Sequence, residues 1–212
     1  MIRRVVGRSI APVADFAELR AGRRLLLDVG TGDGKHVLHE ARQRSDWLVV
    51  GVDAAPAQLQ RASTSAARKP AKGGLPNALF AQASAEQLPA ALGPVDELHV
   101  LMPWGSLLRG CLAGETVLPS LRAVAAPAAA LLITLNLHAW RPPVAEVGSS
   151  IEPTPASVLD GLAGLYAAAG WRIETASYLD EAGIAALATS WGRRLHSTRE
   201  QFDVLAIHAV AV

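Results

Sequence analysis

The sequence predicts an α/β protein built on a mostly parallel sheet with helices on both faces. Three observations carry this. An apolar run at 24–29 ends in a glycine-rich turn that leads into an amphipathic stretch. Short apolar runs then alternate with amphipathic stretches through the first two thirds of the chain. Two apolar runs close the chain after that alternation has stopped, which suits an antiparallel pair at a sheet edge. Strands that alternate with helices need crossover connections and bury both sheet faces, so they read as near-continuous apolar runs.

In chain order, 24–29 is a buried strand, 36–44 a helix, 47–52 a strand and 56–67 a helix. Pro56 suits a first helical turn, where its missing N–H costs nothing. Residues 77–82, 97–101 and 130–137 are further strands, and 171–178 and 202–212 form the closing pair. Three segments interrupt the alternation: a basic loop at 68–76, a proline-containing stretch at 138–155, and residues 188–200, which hold Trp191 and three arginines. Loops that break a regular scaffold are where binding residues concentrate. With 212 residues and no internal repeat, the chain reads as one domain over 1–212.

Half the residues are hydrophobic, enough for a full core. The longest apolar run, 123–133, contains Pro127 and is far shorter than the roughly 20 residues of a membrane span. No apolar run of signal-peptide length follows the first residues, and the lone Cys111 excludes an internal disulfide. These features predict a soluble, cytoplasmic protein. The net charge of +1 announces no polyanionic partner, but the basic residues bunch. Arg3, Arg4 and Arg8 form one group, Arg61, Arg68, Lys69 and Lys72 a second, and Arg193, Arg194 and Arg199 a third. Either these groups meet on one face of the fold, or they are ordinary solvated charge.

The first strand runs into Asp28-Val-Gly30-Thr-Gly32-Asp-Gly34. Glycines let the chain turn sharply and let a ligand approach its backbone. The spacing is G-x-G-x-G rather than the G-x-G-x-x-G of dinucleotide binders, which disfavours a nicotinamide oxidoreductase. The second strand ends in Asp53, followed by Ala54. An acid about 20 positions after the glycines suits a ribose diol. Asp28, just before the loop, suits a cationic amino-acid group. Glu86, after Ala85 and the third strand, suits an adenine amino group, its plainer role being to cap a helix. A nucleoside with a charged tail, rather than a pyrophosphate, fits this set, and S-adenosylmethionine is such a ligand. In the plainer alternative, Asp28 and Asp53 are helix caps and the glycines only form turns.

The fourth strand ends in Leu101-Met-Pro-Trp104-Gly-Ser106. Ligands of open α/β sheets sit beyond the carboxyl ends of the strands, so Trp104 faces the reaction zone. Methyltransferases that act on exocyclic amines carry an Asn/Asp-Pro-Pro-aromatic run here, whereas this chain places Met102 at the polar position. A ring nitrogen already presents an in-plane lone pair and needs orientation more than a base. Trp191 is the candidate second aromatic, and two tryptophans suit a clamp on a flipped base. Trp47, Trp140 and Trp171 read as structural, as do His36, His99 and His138. The six histidines are scattered, no His/Cys ligand spacing appears, and the chemistry calls for no metal.

Six stretches together resemble the aminoglycoside-resistance 16S rRNA (adenine N1) methyltransferases of the kanamycin–apramycin resistance type. They are LDVGTGDGKH over 27–36, KPAKGGLPN over 69–77, ELHVLMPWGSLLRG over 97–110, LNLHAWRP over 135–142, SW at 190–191 with RRLHS over 193–197, and FDVLA over 202–206. The resemblance implies a class I S-adenosylmethionine-dependent methyltransferase (Rossmann-like) fold. Its sheet would be seven-stranded and mostly parallel, with an antiparallel edge and an N-terminal hairpin over 1–13. It implies methylation of the adenosine numbered 1408 in helix 44, within assembled 30S subunits, by a monomer that binds neither DNA nor membrane. Asp28, Gly30, Gly32, Asp53, Ala54, Ala85, Glu86, Leu101 and Ser106 would contact the cofactor, whose product is S-adenosylhomocysteine. Trp104 and Trp191 would stack the adenine. Arg61, Arg68, Lys69, Lys72, Arg194 and Arg199 would grip RNA phosphates, and Thr189 would hold the Trp191 loop on the RNA side. The residues alone leave open a methyltransferase of the same fold acting on tRNA or a small molecule, and a protein that binds the cofactor without chemistry.

Overall fold

The computed structural model describes residues 1–141, 146–147, 151–195 and 202–212. Among the described residues nine strands form one sheet: β1 (Arg3–Val6), β2 (Ser9–Pro12), β3 (Leu25–Val29), β4 (Leu48–Asp53), β5 (Ala78–Gln82), β6 (Val95–Leu101), β7 (Ala125–Asn136), β8 (Trp171–Tyr178) and β9 (Val204–Ala211). Their spatial order is β2-β1-β5-β4-β3-β6-β7-β9-β8. The run from β5 to β7 is parallel, and β9 and β8 close one edge antiparallel. The seven expected strands are all present. The correction is at the other edge: β1 pairs antiparallel with β5, Arg3 opposite Gln82 and Arg4 opposite Ala81, so the N-terminal hairpin extends the sheet to nine.

Between strands lie α1 (Phe16–Arg20), α2 (Lys35–Gln43), α3 (Pro56–Ala66), α4 (Gly105–Ala113), α5 (Val117–Val124), α6 (Pro155–Gly161), α7 (Ala163–Ala168) and α8 (Glu181–Ala186). Side chains alternate across a strand, so β3 feeds both cores. Leu25, Leu27 and Val29 pack with Leu108, Cys111, Leu118, Leu121 and Tyr166 from α4, α5 and α7. Leu26 packs instead with Val37, Ala41, Leu59 and Ala62 from α2 and α3. All five β3 residues are buried. Each buried leucine contributes roughly 1.5–3 kcal/mol of transfer free energy, which fixes this strand at the centre of the sheet.

The strand order reverses at β3, whose neighbours β4 and β6 lie on opposite sides. Crossovers leave in opposite directions there, opening a crevice beyond the carboxyl ends of β3 and β6. Those ends carry Gly30 and Trp104. Among the described residues, no helix is long and apolar enough to cross a membrane.

Candidate active site

The crevice is a cleft of about 800 Å³. Its floor is the turn from β3 into α2. Gly30 and Thr31 both donate their N–H groups to the Val52 carbonyl, at 2.9 and 3.0 Å, which folds the turn over the end of β4. Gly30 has φ +72°, and a Cβ there would lie 2.4 Å from Leu107 Cδ2. Gly32 has φ +55°, and a Cβ there would meet nothing within 4 Å, so its backbone is open to a ligand.

Asp53, at the end of β4, accepts from the Gly32 N–H through Oδ2 (2.9 Å) and from the Ala55 N–H through Oδ1 (2.8 Å). Each oxygen keeps a lone-pair direction toward the cleft, which suits a vicinal diol. Asp28 is buried at the cleft floor and accepts from the Thr31 hydroxyl at 2.5 Å. Glu86 is exposed at the far wall, and hydrogen bonds from Ser84 and Ser106 hold its carboxyl below the usual carboxylate range. A buried acid, a diol-sized acid and an ionised acid at the rim, around an open glycine backbone, fit S-adenosylmethionine: ammonium end, ribose and adenine amino group in that order. Ala54, Ala85, Leu101 and Ser106 complete this part of the lining, so the nine residues assigned to the cofactor from sequence all face one cleft.

Over the mouth stand Trp104 and Trp191. Their rings are 8° from parallel with centroids 6.2 Å apart, and 37% and 49% of their surfaces stay exposed. A flat ring stacked on both faces needs its neighbours roughly 7 Å apart, at about 3.5 Å per contact. Trp104 follows Met102, a non-glycine residue at φ +50°, whose N–H is shared between the backbone and side-chain oxygens of Thr134 at 2.9 and 3.0 Å. A left-handed residue costs on the order of 1 kcal/mol, and strain of this kind clusters where a chain aims functional groups. Trp191 sits in a turn closed by Gly192 N–H donating to Thr189 Oγ1 at 2.9 Å. Ile184, Leu187, Leu195 and Val204 pack with Leu101 and Met102 beneath it. The Arg194 guanidinium lies 5.9 Å from the Trp191 ring centroid.

Thr189 and Arg194 line the cleft mouth. Arg61 on α3, with Arg68, Lys69 and Lys72 in the following loop, lies outside the cleft and is exposed. Arg199 falls outside the described residues. Trp171 is fully buried and donates Nε1–H to Leu118, and Trp47 lies under the guanidinium groups of Arg24 and Arg44, as befits structural indoles.

Sequence reasoning missed the links between glycine loop and Trp191 loop. Ser190 donates its hydroxyl to Asp33 at 2.5 Å, and Lys35 pairs with Asp33 at 2.9 Å and reaches Ser190. Burial raises the Asp33 carboxyl, but hydrogen bonds from Ser190 and Lys35 outweigh it and leave it lowered. Polar residues flanking two unrelated motifs were the available signal, but nothing local pairs them. Arg141 was also missed as a clamp. It forks onto Glu152 at 2.7 Å through two nitrogens, meets Asp203 at 2.9 Å and donates to the Phe202 carbonyl at 2.7 Å. Arg141→Leu removes four charge-assisted bonds and should lower the melting temperature by several degrees, since such bonds contribute about 1.5–3 kcal/mol each before solvent competes; calorimetry showing no shift would contradict that role.

An open α/β sheet with a glycine turn at its switch point, a diol-spaced acid and paired indoles at the rim define a class I S-adenosylmethionine-dependent methyltransferase. Its relatives narrow this further. The profile of NpmA, 16S rRNA (adenine(1408)-N(1))-methyltransferase, matches residues 3–210. The 16S rRNA (adenine(1408)-N(1))-methyltransferase of Streptoalloteichus hindustanus is 55% identical over 210 residues, covering 97% of each chain. The crystal structure of the 16S rRNA methyltransferase KamB superposes with TM-score 0.91 at 52% identity over 99% of both chains. A tryptophan-to-alanine variant of the enzyme from Catenulisporales acidiphilia, solved with cosubstrate SAM, superposes with TM-score 0.89 at 39% identity, covering 100% of this chain and 97% of that one. The chain belongs to the 16S rRNA (adenine(1408)-N(1))-methyltransferase family.

Proposed function

We propose that this enzyme methylates N1 of adenine 1408 in 16S rRNA of the assembled 30S subunit, working as a cytoplasmic monomer, and so protects its host from aminoglycosides that bind there. The observation that carries the reading is the pair of near-parallel indoles over the glycine-lined cleft, with Met102 rather than a polar residue beside them. When bound, S-adenosylmethionine supplies an electrophilic methyl group on a sulfonium. The chain supplies everything else.

Arg61, Arg68, Lys69 and Lys72 meet phosphates on one side of the docked particle, and Arg194 does so on the other, with Arg199 as its partner. Phosphate contacts fix register and carry no base identity. The segments 138–155 and 188–200 are the target-recognition loops of a single domain. Trp104 and Trp191 take the extruded adenine between them, and Thr189 keeps the second ring in place. Asp53 orients the ribose, Glu86 the cofactor's adenine and Asp28 its charged end. The in-plane lone pair of N1 needs alignment and no proton acceptor, which suits the apolar Met102. The methylated base is cationic, and an indole face stabilises such a charge by roughly 0.5–2 kcal/mol.

A primer-extension stop at that adenine in rRNA from cells producing the protein tests the reading, and its absence would refute it. Tritiated methyl appearing in tRNA or in a metabolite would favour the alternative substrates instead. Reversing Lys69 and Lys72 to Glu should weaken 30S binding by about 100-fold or more at low salt, and the slope of log affinity against log salt should flatten by about one for each phosphate no longer neutralised. Binding that ignores salt in the unaltered protein would exclude a phosphate grip.

A further inference from the structure

Behind the glycine loop lies a buried row of side chains that methyl transfer itself does not use. His36 on α2 and His99 on β6 are 4% and 5% exposed, with ring centroids 5.0 Å apart. His36 Nδ1 lies 2.7 Å from the Leu187 carbonyl oxygen, His36 Nε2 lies 2.8 Å from His99 Nδ1, and His99 Nε2 lies 2.8 Å from Glu97 Oε1. Both ends of this row, a carbonyl and a carboxylate, only accept. Three hydrogen bonds need three N–H groups, and two neutral imidazoles hold two. The row is complete only when the two rings share one extra proton.

The surroundings suit that charge. Asp28 and Glu40 face His36 from β3 and α2. Glu97 takes Arg44 on its other oxygen at 2.6 Å, and Arg44 reaches Glu40 at 2.8 Å, with Asp46 near it. Across the open sheet face, the shallow cavity that Glu97 and His99 line also carries Arg172, Glu174 and His208. Burial pushes His36 down, so in the row it donates from Nδ1 alone and accepts at Nε2. Burial would raise Glu97, but hydrogen bonds from His99 and Arg44 hold it at about 2, so this end stays an acceptor.

The direction of failure follows. If the pair loses its extra proton, the ionised Glu97 keeps the His99 N–H and one of the other two bonds fails: either the His36 Nε2 and His99 Nδ1 lone pairs face each other, or His36 moves its N–H to Nε2 and a bare Nδ1 lone pair faces the Leu187 carbonyl. Leu187 precedes Ala188 at φ +50°, Thr189, Ser190 and Trp191. We propose that His36 and His99 are positioning residues for methyl transfer: one shared proton closes the row that holds the Leu187 carbonyl, and its loss as pH rises loosens the segment that carries Trp191. The inference rests on the clamp reading above and adds a pH-dependent hold to it.

Glu97→Gln tests it directly. A glutamine amide can donate to His99 while its oxygen still accepts from Arg44, so the row closes with two neutral rings. Initial rates of methyl transfer to purified 30S subunits at saturating S-adenosylmethionine should fall in the unaltered enzyme by about tenfold as pH rises and the pair gives up its proton, the worth of one hydrogen bond. The fall should sit in kcat and not in KM for the cofactor. In Glu97→Gln this fall should vanish. The same switch is read without substrate in the circular-dichroism couplet of the stacked Trp104 and Trp191, which should fade over the same pH interval in the unaltered protein and persist in Glu97→Gln. His36→Gln, whose amide donates to the carbonyl and accepts from His99, should keep the rate that His36→Leu loses. An identical fall with pH in both proteins, or a couplet indifferent to pH in the unaltered one, overturns the inference. If no methyl reaches 30S subunits at all, the proposed function falls, and the couplet still decides the positioning role.

Discussion

Replacing Trp104 or Trp191 with alanine is expected to cut methyl transfer to 30S subunits by at least about 100-fold and to abolish kanamycin and apramycin resistance. Each ring contributes roughly 1–3 kcal/mol of base stacking. An extruded base held on one face also wanders from the line of attack, and an ångström of misplacement alone costs about 100-fold. Both rings stand at the mouth of the cleft, half-exposed, while Asp28 is buried at its floor and Asp53 is half-buried. Cofactor affinity measured by calorimetry should therefore stay within a few-fold of the unaltered protein. Retained resistance in either variant would refute the clamp, and lost cofactor binding would mean that the rings shape the cleft instead. Phenylalanine at either position should restore part of the activity, because a smaller π face still stacks.

Asp53→Ala should weaken S-adenosylmethionine binding by about 100-fold or more in the same calorimetric assay, because hydrogen bonds to a charged group contribute about 1.5–3 kcal/mol each and a diol takes two. The loss has a second source. Both oxygens of Asp53 are held by backbone N–H groups, from Gly32 in the glycine loop and from Ala55 at the start of α3. Removing the carboxylate leaves those donors unsatisfied and loosens the loop. Asp53→Asn keeps an acceptor oxygen for one of the two donors and should lie between the alanine variant and the unaltered protein. An alanine variant that binds the cofactor normally would put the ribose elsewhere in the cleft.

The seven strands of the main sheet, the glycine turn and helices α2 and α3 were legible in the sequence, because each is written in short-range periodicity and in residues that only a turn tolerates. Helices α4 to α8 were not: α4, α5, α7 and α8 carry Gly110, Pro119, Gly164 and Gly183, which blur a short period, and α6 spans only seven residues, about two turns. Asp28, the glycines, Asp53 and Glu86 could be read in advance because a switch point gathers the carboxyl ends of strands, whereas Ala54, Leu101 and Ser106 were named only through the family resemblance. Trp104 and Trp191 were named together from their loop positions, but no period along the chain announces that their rings face each other. Trp104 and Trp191 meet because the apolar cluster under Leu187 and the Asp33–Ser190 link fold one loop back over another. His36 and His99 read as ordinary core histidines until a third acceptor, the Leu187 carbonyl, stands at the end of their row. Local pattern thus determined the scaffold and the chemistry of its ligand. Packing between residues far apart in the chain decided the clamp and its proton-dependent hold, because a contact between distant side chains has no period along the sequence to announce it.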